Sequence, residues 1–517
     1  MNNELNEVST AFRIYGDNIL ECEQFVSWLN NTELSGFKLI CEKGTLDRPI
    51  FIYQDTKIEG NLCAFQLCPY YGGTGSKILW ENNPLDGIFN EKLDVIITKL
   101  NKDYTESKPI LAIEFCDAIQ AGNQAWQRFR RAINSAQANI PYLYVLPIIG
   151  WERDSGGLKL KNPRYQNAQV CLGHLTLSSN YGTPSMMVYS KTSWTSYAHE
   201  KEYTVPAEYE LFNGIDNGIK FACYLLRDAY KKNRKVKENL LLMLEELFKD
   251  MLIVARTYSK FGNTHFPIHH NHSALKPENI DEASKIYAKY VYKNKRVKGE
   301  FALHNINFND FVKHGVPFFK DAQSKTCSQH FRDNVLDLFN WKDNKSKAYK
   351  LRYLQSWGIK IDDDLDDKGL NKIFQINKNK LPLTYKEGKS EGFVVKNRKF
   401  LKKILSSAYP KLSKKTLDFI CSDSNIDEPI FIVPLYAYKP SGDSRPDRGL
   451  LPVIISLFPG LASKKNLLII VYSKHTPDNW KTLVKNGNNE LWNVIKKLSG
   501  AMIVDVTKDS IKFLEKK

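Results

Sequence analysis

The chain has 517 residues, 42% of them hydrophobic, which is apolar material for more than one core and predicts about two to four domains. A formal charge of +17 and a pI near 9.2 favour a polyanionic partner, without separating nucleic acid from an acidic membrane. Nine cysteines with no CxxC pair exclude a disulfide scaffold and zinc ribbons, and point to reduced thiols in a cytoplasmic protein.

The first residues, MNNELNEVST, lack a basic region followed by an apolar one. No apolar run approaches the roughly 18 residues of a membrane span. Neither secretion nor a membrane is therefore expected. Charge is unevenly placed: residues 1 to 160 hold 15 Lys and Arg against 20 Asp and Glu, and the rest hold 59 against 37. An acidic head is joined to a basic body.

Near the N-terminus, Ile19, Leu20, Phe25, Val26 and Leu29 recur at helical spacing, with Asp17 placed to cap the helix and Glu21 and Gln24 on its other face. Strands are predicted at FKLIC, PIFIY and NLCAFQLCPYY. The turn YYGGTGSK, which lacks phosphate-loop spacing, leads to the strand LDVIIT with Asp94. A second apolar strand, ILAIEFC, carries Glu114; the helix NQAWQRFRRAINSA and the strand PYLYVLPII follow. The pattern predicts an α/β layer arrangement around a mixed sheet.

Farther on, LGHLTLSS and SMMVYSKTSW read as strands, and VPAEYELFNGIDNGIKFACYLLRDAYKK opens a helical region. NLLLMLEELFKDMLIVARTYSK is apolar on most faces and predicts a helix buried among others. The run IDDDLDDKG lacks the ligand spacing of a calcium loop and reads as a solvated acidic turn. The last segment alternates strand PIFIVPLYAY, loop KPSGDSRPDRG, helix LLPVIISLF, strand NLLIIVYS, helix ELWNVIKKL and strand AMIVDV, as a small α/β domain does. The predicted divisions are 1–215, a mainly helical basic region at 216–420, and 421–517.

Helix, strands, the strand with Asp94, the strand with Glu114, a polar-faced helix and a strand follow one another as far as Gly150. This order resembles the core of the PD-(D/E)xK nuclease superfamily, to which many restriction endonucleases belong. The resemblance implies a restriction-endonuclease-like catalytic core over 1–215 and metal-dependent hydrolysis of DNA. Asp94 and Glu114 would hold Mg2+, with Mn2+ as an alternative, and Glu21 would be an outer carboxylate acting through water. The metal polarises the phosphate and lowers the pKa of the attacking water.

The sequence departs from the family at two places. Asp94 follows Leu93 instead of a proline, and Cys116 stands where the family has lysine. Gln124, Gln127, Arg128 and Arg131 line one side of the following helix, opposite Trp126, Phe129, Ile133 and Ala136. A glutamine or arginine of this stripe, or Lys77 after the glycine turn, is the candidate for the missing polar group. Asp86 competes with Asp94 for the first-ligand role, because Asp94 sits nearer its strand's start than its end. The structural alternative is an isolated Asp and Glu on strands beside a solvated helix face. Against it, Glu114 directly after ILAI is costly unless paired or metal-bound.

Other motifs carry weaker signals. His265, His269, His270 and His272 suggest zinc or a histidine-dependent nuclease, but no partner ligand pair lies nearby, and solvated loop histidines are the preferred reading. Arg445 and Arg448, interleaved with Asp443 and Asp447, suit a base edge or a phosphate, or pair among themselves. KIYAKYVYKNKRVKG, with Lys293, Lys295 and Arg296, and WKDNKSKAYKLRYLQSW combine cations with aromatics, as a nucleic-acid grip or an amphipathic helix would.

The reading admits DNA as partner, with RNA as an alternative, a second copy of the chain and a cognate methyltransferase, and excludes a membrane. A different class of function is a nuclease-fold protein without catalysis that binds nucleic acid or assembles within a defence system.

Overall fold

The computed structural model describes residues 8–70, 93–101, 106–116, 123–147, 149–150, 164–165, 168–190, 212–261, 272–303, 366–378, 393–395, 402, 406, 412–421, 430–436, 467–473, 501–506 and 510–515. Two compact units emerge, one formed by Met1–Ala121, Arg128–Thr264 and His269–Asn305, the other mainly by Ile306–Lys517.

The first unit is built on an eight-stranded mixed sheet. Strand β1 (Thr10–Gly16) precedes helix α1 (Ile19–Asn30) and the single turn α2 (Thr32–Ser35). Strands β2 (Phe37–Thr45), β3 (Arg48–Asp55) and β4 (Leu62–Cys68) form an antiparallel meander, followed by β5 (Val95–Leu100) and β6 (Glu106–Phe115). Helix α3 (Asn123–Gln137) then leads to β7 (Tyr142–Pro147). The two-residue strands β8 (Ile149–Gly150) and β9 (Arg164–Tyr165) pair with each other, and helix α4 (Ala168–Tyr181) returns to β10 (Ser185–Ser190). The sheet order is β10-β7-β6-β5-β1-β4-β3-β2, so the predicted α/β architecture with a mixed sheet is present.

Two local expectations are corrected. The first helix is capped by Asn18, not Asp17: Asn18 Oδ1 accepts the Glu21 N–H at 3.0 Å, and Glu21 reaches back to the Asn18 N–H at 3.3 Å, completing a capping box. The segment LGHLTLSS is helical, within α4. It is buried on all sides, so it shows no amphipathic period, and its hydroxyls bond locally instead of marking a strand. Thr176 donates to the Leu172 carbonyl at 2.8 Å, and Ser178 accepts the Ser185 N–H at 2.9 Å.

Helices α5 (Gly214–Tyr230), α6 (Arg234–Phe261) and α7 (Ile280–Tyr292) belong to the same unit as the sheet. As predicted, α6 is buried among helices, packing against α4, α5 and α7. A buried ion pair fastens α5 to the meander. Arg227 Nε lies 3.1 and 2.9 Å from the two carboxylate oxygens of Asp55, Arg227 Nη2 donates to Ser35 O at 2.7 Å, and the Tyr230 hydroxyl bonds Asp55. The guanidinium also stacks 4.5 Å above the Phe37 ring. Gly36 has φ +68°, and a Cβ there would come within 2.8 Å of Arg227 Nη2, so both conformation and space require glycine. Phe37, Tyr53 and Phe65 make edge contacts beneath this clamp at 5.6 to 6.3 Å.

The second unit contains α8 (Asp367–Lys378), α9 (Lys414–Cys421) and a five-stranded sheet. Its strands β11 (Phe393–Val395), β12 (Ile430–Tyr436), β13 (Leu467–Ser473), β14 (Ala501–Val506) and β15 (Ser510–Glu515) are ordered as numbered. The three central strands are parallel, which the predicted strand–helix alternation permits because parallel neighbours need a crossover. The two predicted crossover helices lie outside the described residues, and the antiparallel edges β11 and β15 are additions to the sequence reading. Asp366, from the acidic run, accepts the Gly369 N–H at 2.7 Å and so helps start α8. Among the described residues, no helix is long and apolar enough to cross a membrane.

Candidate active site

Strands β5 and β6 are antiparallel, with Val95 opposite Ile113. The start of one strand therefore meets the end of the other, and Asp94, one residue before β5, comes to Glu114. This removes the objection that Asp94 sits at the wrong end of its strand. Asp94 Oδ2 accepts the Phe115 N–H at 2.9 Å. Its rival Asp86 lies outside the described residues.

Helix α3 turns two arginines onto these carboxylates. Arg128 Nη1 donates to Glu114 Oε1 at 2.6 Å and to the Phe115 carbonyl at 2.8 Å, and lies 3.9 Å from Asp94 Oδ2. Arg131 Nη1 lies 3.3 Å from Asp94 Oδ1 and pairs directly with Glu114 Oε2. The expected spacing of three residues thus puts both guanidiniums on one helix face. Arg131, expected to meet nucleic acid, is engaged inside this cluster.

Glu21 stands at the edge of the group. Its carboxylate accepts the Asp17 N–H at 3.1 Å, and that N–H also points to the Asp94 carbonyl at 3.2 Å. Burial, and secondarily the charge of Asp94, push Glu21 up to about 7. The Glu114 side chain is 0% exposed. Burial pushes its carboxyl up to about 8, against the pull of Arg131 and Arg128. Asp94 is also raised by burial despite the same two cations. Two carboxylates, Asp94 and Glu114, thus share two guanidiniums, while Glu21 is held by the backbone N–H groups of Asp17 and Asn18.

Cys116, where the resemblance leads one to expect lysine, is buried and continues the backbone pairing with β7 through its N–H to Val145 O at 2.8 Å. Its thiol is hydrogen-bonded to the Tyr144 side chain. The cationic groups that reach the carboxylates come from α3 instead. The side chains of Gln124 and Gln127 lie outside the described residues, as do Lys77, His265, His269, His270, Asp443, Arg445, Asp447 and Arg448. His272 is described, and its ring nitrogen caps a short turn by accepting the Ala274 N–H at 3.2 Å. Lys293, Lys295 and Arg296 are exposed just beyond α7, whereas Tyr287 of the same stretch is a core residue with its hydroxyl on the Phe301 carbonyl at 3.0 Å. Tyr287 is therefore unavailable for base stacking.

The sequence reading missed His174. It is buried on α4, bonded to Ser185 Oγ at 2.8 Å and stacked against Tyr142 and Tyr144 at 5.9 and 6.0 Å. Burial alone lowers its pKa to about 3, which makes it a neutral core histidine. Its place between strand periods gave no signal.

The donor chemistry suits a hard divalent cation. Mg2+ is commonly held by one or two carboxylates with the remaining positions filled by water. Asp94 and Glu114 supply such a pair, and burial raises both carboxyls against the pull of the two arginines. Among the described residues no group of three or more acidic, histidine or cysteine side chains is arranged to hold a metal. Comparison of the chain with protein-family models, with curated proteins and with solved structures finds no match.

Proposed function

We propose that this protein is a divalent-cation-dependent endonuclease acting on DNA, with a restriction-endonuclease-like core. The observation that carries the reading is the meeting of Asp94 and Glu114 at one end of adjacent antiparallel strands, with Arg128 and Arg131 against both. Asp94 and Glu114 would hold Mg2+ or Mn2+, which when bound supplies Lewis-acid polarisation of a phosphodiester and an acidified water. The chain's own residues do the rest. The Phe115 N–H fixes the Asp94 carboxylate, and the buried wall of β6 and β7 excludes water from Glu114. Arg128 and Arg131 pull the carboxylates toward the ionised form against burial and offer N–H groups to a phosphate oxygen. Gln124 and Gln127 belong to the same helical stripe and are the candidates for orienting water. No covalent intermediate is required.

A second reading is favoured by one observation: every oxygen of Asp94 and Glu114 already faces a guanidinium or a backbone N–H. In that reading the cluster is structural, and the protein binds nucleic acid without cutting it. Incubation of the protein with plasmid and Mg2+ or Mn2+ separates the two. Cleavage that disappears in both Asp94→Ala and Glu114→Ala supports the nuclease. Cleavage surviving in both variants would sink the site assignment, and binding without cleavage under either metal would favour the second reading.

A further inference from the structure

The turn between α5 and α6 reads KKNRKVK, and Lys231, Lys232, Arg234, Lys235 and Lys237 are all exposed. Asn233 caps α6 by accepting the Val236 N–H at 2.7 Å, so these cations crowd the first turn of a 28-residue helix. The dipole of a helix disfavours positive charge at that end, and the first turn of α6 has no acidic residue to offset it. One acid, Glu238, pairs with Arg234 at 2.7 Å. A plain solvated surface gives no reason for this arrangement; a bound polyanion does.

A second basic turn lies beside the first. Helices α6 and α7 are antiparallel, with Lys249 on Asp281 at 2.7 Å and Glu245 within 3.9 Å of Lys285. This antiparallel packing puts the turn before α6 and the turn after α7 at the same end of the helix pair. Asp228, near the end of α5, is also close enough to Tyr292 to raise its phenol, after burial.

After α7, Lys293, Lys295, Arg296 and Lys298 are exposed while Val297 is buried. The Val297 N–H donates to Ser179 O at 2.9 Å. Gly182, at φ +66°, lets the turn approach so closely that a Cβ would stand 2.5 Å from the Lys295 carbonyl carbon. These cations are held on a fixed backbone at the same end of the helix pair as those of the α5–α6 turn.

We infer that this end of the helix pair, from Lys231 to Lys237 and from Lys293 to Lys298, binds the phosphodiester backbone of a nucleic acid. It lies at the other end of β5 from the carboxylates, since Lys99 near that strand's end donates to the Ala229 carbonyl at 2.8 Å. The six-residue strand β5 separates the two ends by about 20 Å. The surface therefore grips the polyanion away from the carboxylate cluster. The α5–α6 turn has one apolar side chain, Val236, and it is buried, leaving that turn nothing to insert into a bilayer. The inference shares its nucleic-acid partner with the reading above but does not rest on cleavage.

Fluorescence anisotropy of a labelled DNA duplex, titrated over a range of KCl concentrations, tests it. The variant carrying Lys231→Gln, Lys232→Gln, Arg234→Gln, Lys235→Gln and Lys237→Gln should bind at least about tenfold more weakly, with the slope of log affinity against log salt reduced by about three. Its melting temperature should be unchanged or higher, because the altered side chains are exposed and their charges oppose the helix dipole. Adding Lys293→Gln and Lys295→Gln should weaken binding again. Titrations run in EDTA read binding without cleavage, so a failed nuclease reading leaves this result legible. An unchanged affinity and salt slope in the five-site variant would overturn the inference, as would wild-type protein that binds phosphatidylserine vesicles and not the duplex.

Discussion

The Asp94 carboxylate accepts the backbone N–H of Phe115 at 2.9 Å, and Phe115 is the residue after Glu114. The strand that carries the second acid therefore positions the first. The substitution Asp94→Asn retains an oxygen for that N–H and loses the charge, whereas Asp94→Ala loses both. Asp94→Asn should abolish cleavage at a stability cost within about 1 kcal/mol, and Asp94→Ala should cost about 1–3 kcal/mol by leaving the N–H unpaired. Urea denaturation beside a plasmid assay reads both effects.

The pairing of Glu114 with Arg131 should be strongly coupled. Removing one partner leaves a buried charge, so Arg131→Met should destabilise by about 3–5 kcal/mol. In the double variant Glu114→Gln, Arg131→Met, most of that loss should be recovered. A double-mutant cycle with simple additivity would show that the contact does not hold the two together.

Cleavage should rise with pH. Cation binding requires ionised carboxylates, and Glu21 and Glu114 are pushed up to about 7 and about 8. At fixed Mg2+ the rate should climb between about pH 6 and pH 8.5, in steps assigned to the group as a whole. Glu21→Gln should remove the lower part of the rise. A rate flat across this window would contradict the proposed ionisations.

The Asp55–Arg227 clamp is a stability element remote from any chemistry. Arg227→Met should destabilise the first unit by about 3–5 kcal/mol, since Asp55 would stay buried with fewer donors. The carboxylate cluster is elsewhere on the sheet, so cleavage by the fraction still folded should be unaltered. Chemical denaturation with an activity assay at low temperature measures both.

Acid should weaken the fold through His174. Its folded pKa of about 3 lies below the ordinary 6.5, so its contribution is complete above pH 6.5 and is lost as pH falls toward 3. By about pH 4.5 the loss should reach about 2–3 kcal/mol. Comparing urea midpoints at about pH 7 and pH 4.5, the difference should shrink in His174→Gln.

The alternating and apolar runs from FKLIC to PYLYVLPII were legible because strands and helices bury one face at a fixed period. The Gln/Arg stripe likewise pointed to Arg128 and Arg131. Its chemistry was only half readable, since whether a guanidinium turns to a carboxylate or to solvent depends on where β5 and β6 stop. The strand at Thr10 went unread because it runs almost directly into a helix. Helix α4 was misread because complete burial erases the polar side by which a helix is recognised. The Asp55–Arg227 pair joins residues 172 positions apart, and no local pattern announces such a contact.

Strand β1 lies between β4 and β5, parallel to one and antiparallel to the other. It is the only link in the sheet order between the meander and the half that carries Asp94 and Glu114. Strand β1 must therefore wait for residues 95–100 before its second edge is covered. Until then it offers an open ladder to other chains. Joining the meander to the half that carries the carboxylates is accordingly a late event, limited by closing a long loop, and deleting residues 10–16 would leave two separate sheets in place of one.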